Sequence, residues 1–152
     1  MSDLYNADFD RWALEQAALL KARRFEDLDI GNLLEEIEDL SNRDRQALCS
    51  HLEVLLLHLL KRRCQPSHKS NSWLNSIDTG RRRIKRLLKA SPSLKRYLED
   101  NIVPVYADAR KTALKQAARY GVSQFYQNTP GSCPWTVEQL LDETFWPESE
   151  EG

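Results

Sequence analysis

The chain has 152 residues, of which 41% are hydrophobic and 30% are charged, and its formal net charge is -1. A chain of this length buries roughly 70% of the surface that it exposes when unfolded, so we expect one globular domain over residues 5–147 and exclude a disordered protein. Its three cysteines include no C-x-x-C pair, which argues against a disulfide framework and indicates a reducing, cytoplasmic location. No apolar stretch approaches the roughly 20 residues needed to cross a bilayer, so we expect no membrane association.

The N-terminal part of the chain has helical periodicity. Asn6 is predicted to cap a first helix over residues 7–22 and Asp29 a second helix, because these side chains accept hydrogen bonds from the first helical turn. Ser41 is followed three residues later by Asp44, a weak capping-box pattern that predicts a new helix or a kink at 41. The second helix carries one apolar stripe, which consists of Ile30, Leu33, Leu34, Ile37 and Leu40.

A third helix is predicted over about residues 41–64, and Gln65-Pro66 ends it. Val54 and Leu57 lie on the side opposite its main leucine stripe. A helix that is apolar nearly all round is a buried one, so we expect this helix at the centre of the core. The main stripe consists of Leu48, Leu52, Leu55, Leu56 and Leu59.

The basic middle of the chain is predicted to form a fourth helix over about residues 71–90, and Ser91-Pro92 separates it from a fifth. Asn101 to Pro104 should interrupt that fifth helix, because a proline inside a helix costs about 3 kcal/mol. A sixth helix, about 104–119, presents Tyr106 and small residues that permit close helix packing. Those small residues are Ala109, Ala113 and Ala117.

The C-terminal part is predicted to be mostly irregular. Gly121 should stop the sixth helix, Thr136 should cap a last short helix, and the acidic tail 148–152 should fray. The sequence contains no strand pattern and no internal repeat. The predicted fold class is therefore all-α, a single-domain helical bundle around the buried helix at 41–64.

The charges are distributed unevenly along the chain. Residues 1–60 have a net charge of -7, residues 61–96 of +11, and residues 97–152 of -5. A basic segment between two acidic ones has two interpretations. It binds an anion outside the molecule, or the acidic flanks neutralise it within the fold.

Within the basic segment, residues 79–89 contain six basic side chains. At 100° per residue, Arg81 and Arg83 flank the buried face of the fourth helix, where a carboxylate such as Glu36 could bind them. Gly80 on that face indicates that another backbone approaches closely. The remaining four residues form an outer basic face that is free to bind an anion, and they are Arg82, Lys85, Arg86 and Lys89.

The histidines provide a possible catalytic group. Arg45 and His51 are separated by five residues, and this spacing resembles the active-site motif of HEPN-type ribonucleases. In such a site, the histidine acts as acid or base and the arginine stabilises the charged phosphorus centre. The alternative, which we favour, is that His51 and His58 are buried histidines with hydrogen-bond partners.

The acidic residues do not predict a metal centre. Glu35-Glu36 and Glu38-Asp39 form a dense cluster on the second helix. A di-metal bundle would also need Glu-x-x-His on another helix, and the sequence has none. His58 and Cys64 are rotated about 120° apart on their helix, so they do not converge. We therefore expect no metal and no cofactor.

Several segments together resemble one bacterial family, domain of unknown function family twenty-nine (DUF29). The resemblance implies an all-helical single domain and no known activity. Where this chain has His51, the family pattern more usually has Arg, which weakens the ribonuclease interpretation. Lys61, Gln65 and Trp73 are among the residues that match the pattern. The segments that carry the resemblance are YNADFDRWALEQAALL, FEDLDIGNLLEEIEDL, LLLHLLKRRCQP, SPSL, YADAR, CPW and FWP.

The sequence favours a binding or regulatory module over an enzyme. We expect it to act through a protein partner or a homodimer, with the outer basic face bound to an acidic partner. The alternative is a nucleic-acid-associated protein or a HEPN-like ribonuclease that uses Arg45 and His51. Five other polar residues form either a site or a structural network, and they are Glu36, His58, Arg81, Tyr106 and Arg110.

Overall fold

In a computed structural model, the chain is described over residues 3–68 and 70–147. Within these residues all regular structure is helical and no strand occurs, so the predicted all-α helical bundle is confirmed. The acidic tail at 148–152, which was expected to fray, lies outside the described residues. The helices are α1 (Leu4–Ala7), α2 (Phe9–Lys21), α3 (Ile30–Cys64), α4 (Asn71–Ala90), α5 (Leu94–Arg119) and α6 (Val137–Leu141), with short 3-10 turns at Phe25–Asp27 and Ser123–Tyr126.

The chain divides into two compact units, one up to Arg43 and one from Asp44 onward. The prediction of a single domain over 5–147 stays a prediction. In the N-terminal unit, the prediction that Asn6 caps a helix over 7–22 is wrong. Asn6 lies inside α1, and the side chain of Asp8 caps α2 by accepting a hydrogen bond from the Arg11 N–H at 3.1 Å.

Asp29 organises the start of α3, as predicted. Its Oδ2 accepts hydrogen bonds from Trp12 Nε1 at 3.0 Å and from Asn32 Nδ2 at 2.8 Å. Its backbone N–H donates to Gln16 Oε1 at 2.8 Å. The side-chain hydrogen bond from Asn32, and next that from Trp12, lower the pKa of Asp29. Two buried residues of α2 are therefore tied to the cap of α3.

The predicted break at Ser41 is wrong, because α3 runs without interruption for 35 residues. Residues 41–46 are all exposed, so polar side chains in the middle of the helix remain hydrated. Ser and Asp disfavour a helix interior only mildly compared with Gly or Pro, and neither breaker occurs after Gly31 in α3.

The core of the C-terminal unit forms around the second half of α3. All five leucines of the predicted main stripe are buried, and so is Leu60. α4 packs closely against them at Gly80, where an added Cβ would lie 3.3 Å from Leu55 Cβ and 3.6 Å from the His51 carbonyl oxygen. The prediction of a close backbone approach at Gly80 is thus confirmed. The other helices contribute Ile77, Ile84, Leu98, Tyr106, Ala109, Ala113 and Leu140.

The predicted interruption at Asn101 to Pro104 is also wrong, because α5 continues through Pro104. Proline has no N–H to donate to the Asp100 carbonyl, four residues earlier in the helix. Pro104 and Asp100 are both exposed, so water can bind that carbonyl instead. One turn earlier, Asn101 Nδ2 donates to the Tyr97 carbonyl at 2.7 Å. Solvation therefore offsets part of the usual cost of an interior proline.

The predicted stops and caps of the last elements are confirmed. Gly121 has a φ of 71°, which suits a glycine after a helix end. Thr136 Oγ1 accepts a hydrogen bond from the Gln139 N–H, and the Gln139 side chain accepts one from the Thr136 N–H. This capping box fixes the start of α6.

Candidate functional site

The outer basic face of α4 is solvent-exposed, as its spacing predicts. Lys85 Nζ lies 3.5 Å from Glu143 Oε1. One of the four positive charges of the outer basic face is therefore partly neutralised within the chain. Arg83, which was expected beside the buried face, is exposed as well. Of the six basic residues in 79–89, Arg81 is the one that is buried.

Arg81 is completely buried and bridges α4 to the C-terminal segment. Its Nε donates to the carbonyl oxygen of Leu140, and its Nη2 to that of Phe145, both at 2.8 Å. Its guanidinium carbon also lies 5.5 Å from the ring centroid of Trp146. The expected carboxylate partner is therefore wrong, because the acceptors are backbone carbonyls. Burial lowers the pKa of Arg81, while the charges of nearby acidic residues oppose that effect.

Tyr106 and Arg110 converge on one backbone atom. The Tyr106 hydroxyl donates to the Pro130 carbonyl oxygen at 2.6 Å, and Arg110 Nε donates to the same oxygen at 3.0 Å. Burial raises the pKa of Tyr106 to about 12. The two side chains lie four residues apart on α5 and hold the loop that leads to α6.

The other two members of the polar set have local partners. In the N-terminal unit, Glu36 Oε1 accepts a hydrogen bond from the Tyr5 hydroxyl at 2.6 Å, and this bond is the main reason that the pKa of Tyr5 rises to about 12. In the C-terminal unit, His58 Nδ1 lies 2.7 Å from the Val54 carbonyl oxygen on its own helix. Within that unit, His58, Arg81 and the Tyr106–Arg110 pair make three separate contacts, which favours a structural role for each.

The two residues of the ribonuclease spacing contact different neighbours. The Arg45 guanidinium carbon lies 5.2 Å from the Tyr97 ring centroid. His51 borders a cleft of about 560 Å³ that Arg83 and Thr79 also line. Burial, together with the positive charge of Arg83, lowers the pKa of His51 and favours the neutral imidazole. His51 can thus accept a proton, but its arginine neighbour is Arg83.

A second cavity, of about 440 Å³, was missed by the sequence analysis. It lies where the end of α3, the start of α4 and the end of α5 converge. The lining of this cavity includes Lys61, Gln65, His68, Trp73, Gln116 and Tyr126. Lys61 and Gln65 match the family pattern, but no local sequence pattern places them beside Gln116 of α5.

The apolar stripe of the N-terminal half of α3 is the second feature that sequence analysis did not interpret. Ile30, Leu34, Ile37 and Leu40 are 61%, 55%, 63% and 59% exposed, respectively. Leu33 in the same stripe is half-buried. A contiguous row of exposed large apolar side chains typically marks an interaction surface.

The described residues contain no group of three potential metal-ligating side chains. In the same part of the chain, no helix is long and apolar enough to span a membrane.

These features define an all-α helical bundle with an exposed apolar helix face and a cavity between helix ends. Residues 4–146 match the family model described as domain of unknown function DUF29, and the chain belongs to that family. The family resemblance read from the sequence segments is therefore confirmed. Comparison with curated proteins found no match, and neither did comparison with solved structures.

Proposed function

We propose that this protein is a binding module that acts as a homodimer, paired through the apolar stripe of α3. The exposure of that stripe is the observation that carries the proposal. Full burial of an Ile or Leu side chain stabilises a protein by about 1.5–3 kcal/mol. A second copy of α3 offers a surface of the same shape on which all four exposed residues can be buried at once.

The residue types in the stripe favour pairing of like helices. Ile30 and Ile37 are seven residues apart, and so are Leu33 and Leu40. They occupy positions a and d of a heptad repeat, and isoleucine at a with leucine at d favours two-stranded parallel coiled coils. The pattern extends over two heptads, so we expect reversible association.

The acidic residues of this segment leave the seam clear. With Ile30 at position a, Glu35, Glu38 and Asp39 occupy f, b and c, which face away from a paired helix. Glu36 at position g borders the seam, but its carboxylate already accepts the hydrogen bond from Tyr5. Two copies can therefore pair without opposing carboxylates at the contact.

Long-range charge still opposes the pairing. Residues 1–43 contain five basic and eleven acidic side chains, so two N-terminal units repel each other at low ionic strength. Screening by salt weakens this repulsion, and the homodimer should become tighter as salt is added. A basic partner on the same stripe would instead bind more weakly in salt.

Sedimentation velocity tests this proposal. The dimer fraction of the wild type should rise with protein concentration and between about 0.05 M and 0.5 M salt. Ile37→Lys should abolish the dimer and retain the helical content of the wild type. Val103→Lys is the matched control, because Val103 is 75% exposed outside the stripe, and it should dimerise as the wild type does. A wild type that stays monomeric, or an Ile37→Lys variant that dimerises normally, contradicts the proposal.

A second binding function is favoured by the exposure of the outer basic face. Arg82, Arg86 and Lys89 are exposed on the same helix side as Lys85. We propose an acidic protein segment as their partner. Replacing the four residues with Glu should abolish binding of a polyglutamate peptide and preserve the helical content. A nucleic acid would be indicated instead if RNA or DNA bound with a steep salt dependence and polyglutamate did not.

A further inference from the structure

The cavity lies between helix ends of the C-terminal unit. Lys61 is in the last turn of α3, and Gln65 directly follows that helix with its N–H donating to the Lys61 carbonyl at 2.8 Å, so the two side chains lie on one face. Trp73 lies in the first turn of α4, where its N–H donates to the capping Ser70 Oγ at 3.3 Å. Gln116 lies in the last turn of α5. The volume of about 440 Å³ falls in the range of small-molecule sites.

One wall of the cavity is aromatic. The rings of Trp73 and His68 stack with a centroid distance of 4.2 Å and an angle of 31° between planes. Lys61 Nζ lies 5.6 Å from the Trp73 ring centroid. Such a wall offers a flat apolar surface beside a positive charge, which suits a planar ring with an anionic substituent.

Lys61 has no carboxylate partner among the described residues. Within the same part of the chain, no acidic side chain lines the cavity. Burial lowers the pKa of Lys61, which means that its ammonium is partly stripped of water. A partly desolvated ammonium binds a carboxylate more strongly than an exposed one does.

Gln116 supplies an acceptor. Its Oε1 is buried and has no hydrogen-bond partner among the described residues, although buried side-chain oxygens are nearly always bonded. Gln65 differs from Gln116, because its Oε1 already accepts a hydrogen bond from the Tyr126 hydroxyl at 2.6 Å. Gln116 therefore brings an unbonded acceptor to the cavity wall, and a ligand donor can bond to it once the amide turns toward the cavity.

We propose that this cavity binds a small planar aromatic acid that carries an N–H or O–H donor on its ring. The ring packs against Trp73, the carboxylate binds Lys61, and the ring donor bonds to Gln116 Oε1. This assignment stands independently of the homodimer, since it rests on a different unit of the chain.

Isothermal titration with three indole probes tests the assignment. Indole-3-carboxylate supplies the ring, the carboxylate and the N–H, so it should bind the full-length protein. Indole lacks the carboxylate, and 1-methylindole-3-carboxylate lacks the N–H. Each should bind at least about tenfold more weakly, the factor that corresponds to about 1.4 kcal/mol. Equal binding of the three probes, or no binding of any, would overturn the proposal.

Variants link each probe group to its residue. Lys61→Met should weaken indole-3-carboxylate about tenfold and leave the affinity for indole unchanged. Gln116→Leu should remove the difference between the N–H and N-methyl probes while preserving the melting temperature, because the buried Gln116 Oε1 has no hydrogen-bond partner among the described residues. Lys115→Met, an exposed neighbour on α5, should bind all probes as the wild type does. If the N-methyl penalty persists in Gln116→Leu, Gln116 is not the acceptor and the proposed site is wrong.

Discussion

Arg81 Nε donates to the carbonyl oxygen of Leu140 at 2.8 Å and so joins two residues that are 59 positions apart in the chain. The same guanidinium reaches the carbonyl of Phe145 through Nη2. A charged residue of the basic segment therefore holds residues 140–145 against α4. The remaining nitrogen, Nη1, is buried without a hydrogen-bond partner among the described residues.

Removal of this clamp should destabilise the protein. Hydrogen bonds to charged groups contribute about 1.5–3 kcal/mol each, and Arg81→Met would leave two carbonyls without their donor. We expect the free energy of unfolding to fall by about 3 kcal/mol in denaturant titration. Arg82→Met is the control, because Arg82 is exposed next to Arg81, and its effect should stay within about 0.5 kcal/mol. Equal losses in both variants would contradict the assigned role.

The shared carbonyl of Pro130 predicts coupling between Tyr106 and Arg110. Tyr106→Phe alone should cost about 0.5–1.5 kcal/mol, because Arg110 Nε still donates to the oxygen. The double variant Tyr106→Phe/Arg110→Met leaves that oxygen with neither donor. Its loss in unfolding free energy should therefore exceed the sum of the single losses, and strict additivity would indicate that the two donors act independently.

The stability of the protein should fall on mild acidification. Burial lowers the pKa of His58; the bond to Val54 opposes this effect and the charge of Lys61 adds to it. A histidine whose folded pKa lies below its unfolded value of about 6.5 binds fewer protons when folded, so stability is lost as the pH falls through that value toward the folded pKa.

Melting temperatures measured between about pH 7.5 and 5 test this expectation. His58→Gln should show a smaller decrease than the wild type, because Gln does not titrate. Part of the decrease in melting temperature should remain in this variant, because the pKa of His51 is lowered as well. Identical pH profiles for the variant and the wild type would rule His58 out as a contributor.

Because α4 packs closely against α3 at Gly80, a large side chain at this position should destabilise the protein. A leucine there would have to displace Leu55, whose Cβ lies 3.3 Å from the position of an added Cβ. Overpacking of this kind typically costs about 1–3 kcal/mol. Gly131→Leu is the matched control, because nothing lies within 4 Å of an added Cβ at Gly131. Thermal unfolding should show a clear loss for Gly80→Leu only.

Local patterns predicted much of this fold because they act over one helical turn. The caps at Asp29 and Thr136, the stop at Gly121 and the buried leucine stripe of α3 all follow from residues within a few positions of each other. The same short range explains the errors at Ser41 and Pro104. There, solvent exposure decided between a break and a continuous helix, and exposure depends on the tertiary structure.

The candidate sites were predictable only in part for a related reason. Helical spacing alone placed Arg82 and Lys89 on an outward face. The partners of Arg81 and Tyr106 lie in the C-terminal segment, and the cavity brings together Lys61 and Gln116 from different helices. Contacts across such separations leave no periodic signal in the sequence.

The stripe of α3 shows where periodicity was ambiguous. Ile30 and Ile37 have the spacing of a core-facing helix, yet both are more than half exposed. An apolar stripe has the same pattern whether it packs inside one chain or against a second one. The structure separates the two cases by exposure, and this difference is the basis of the proposed homodimer.

Disulfide trapping tests the homodimer most directly. Residues at position a face each other across a two-stranded coiled coil, so Ile37→Cys should form a covalent dimer on mild oxidation. Asp39→Cys, exposed on the far side of the same helix, should not form it above the level of the wild type, whose own cysteines set the background. A monomeric Ile37→Cys protein, or equal trapping at both positions, would contradict pairing through the stripe.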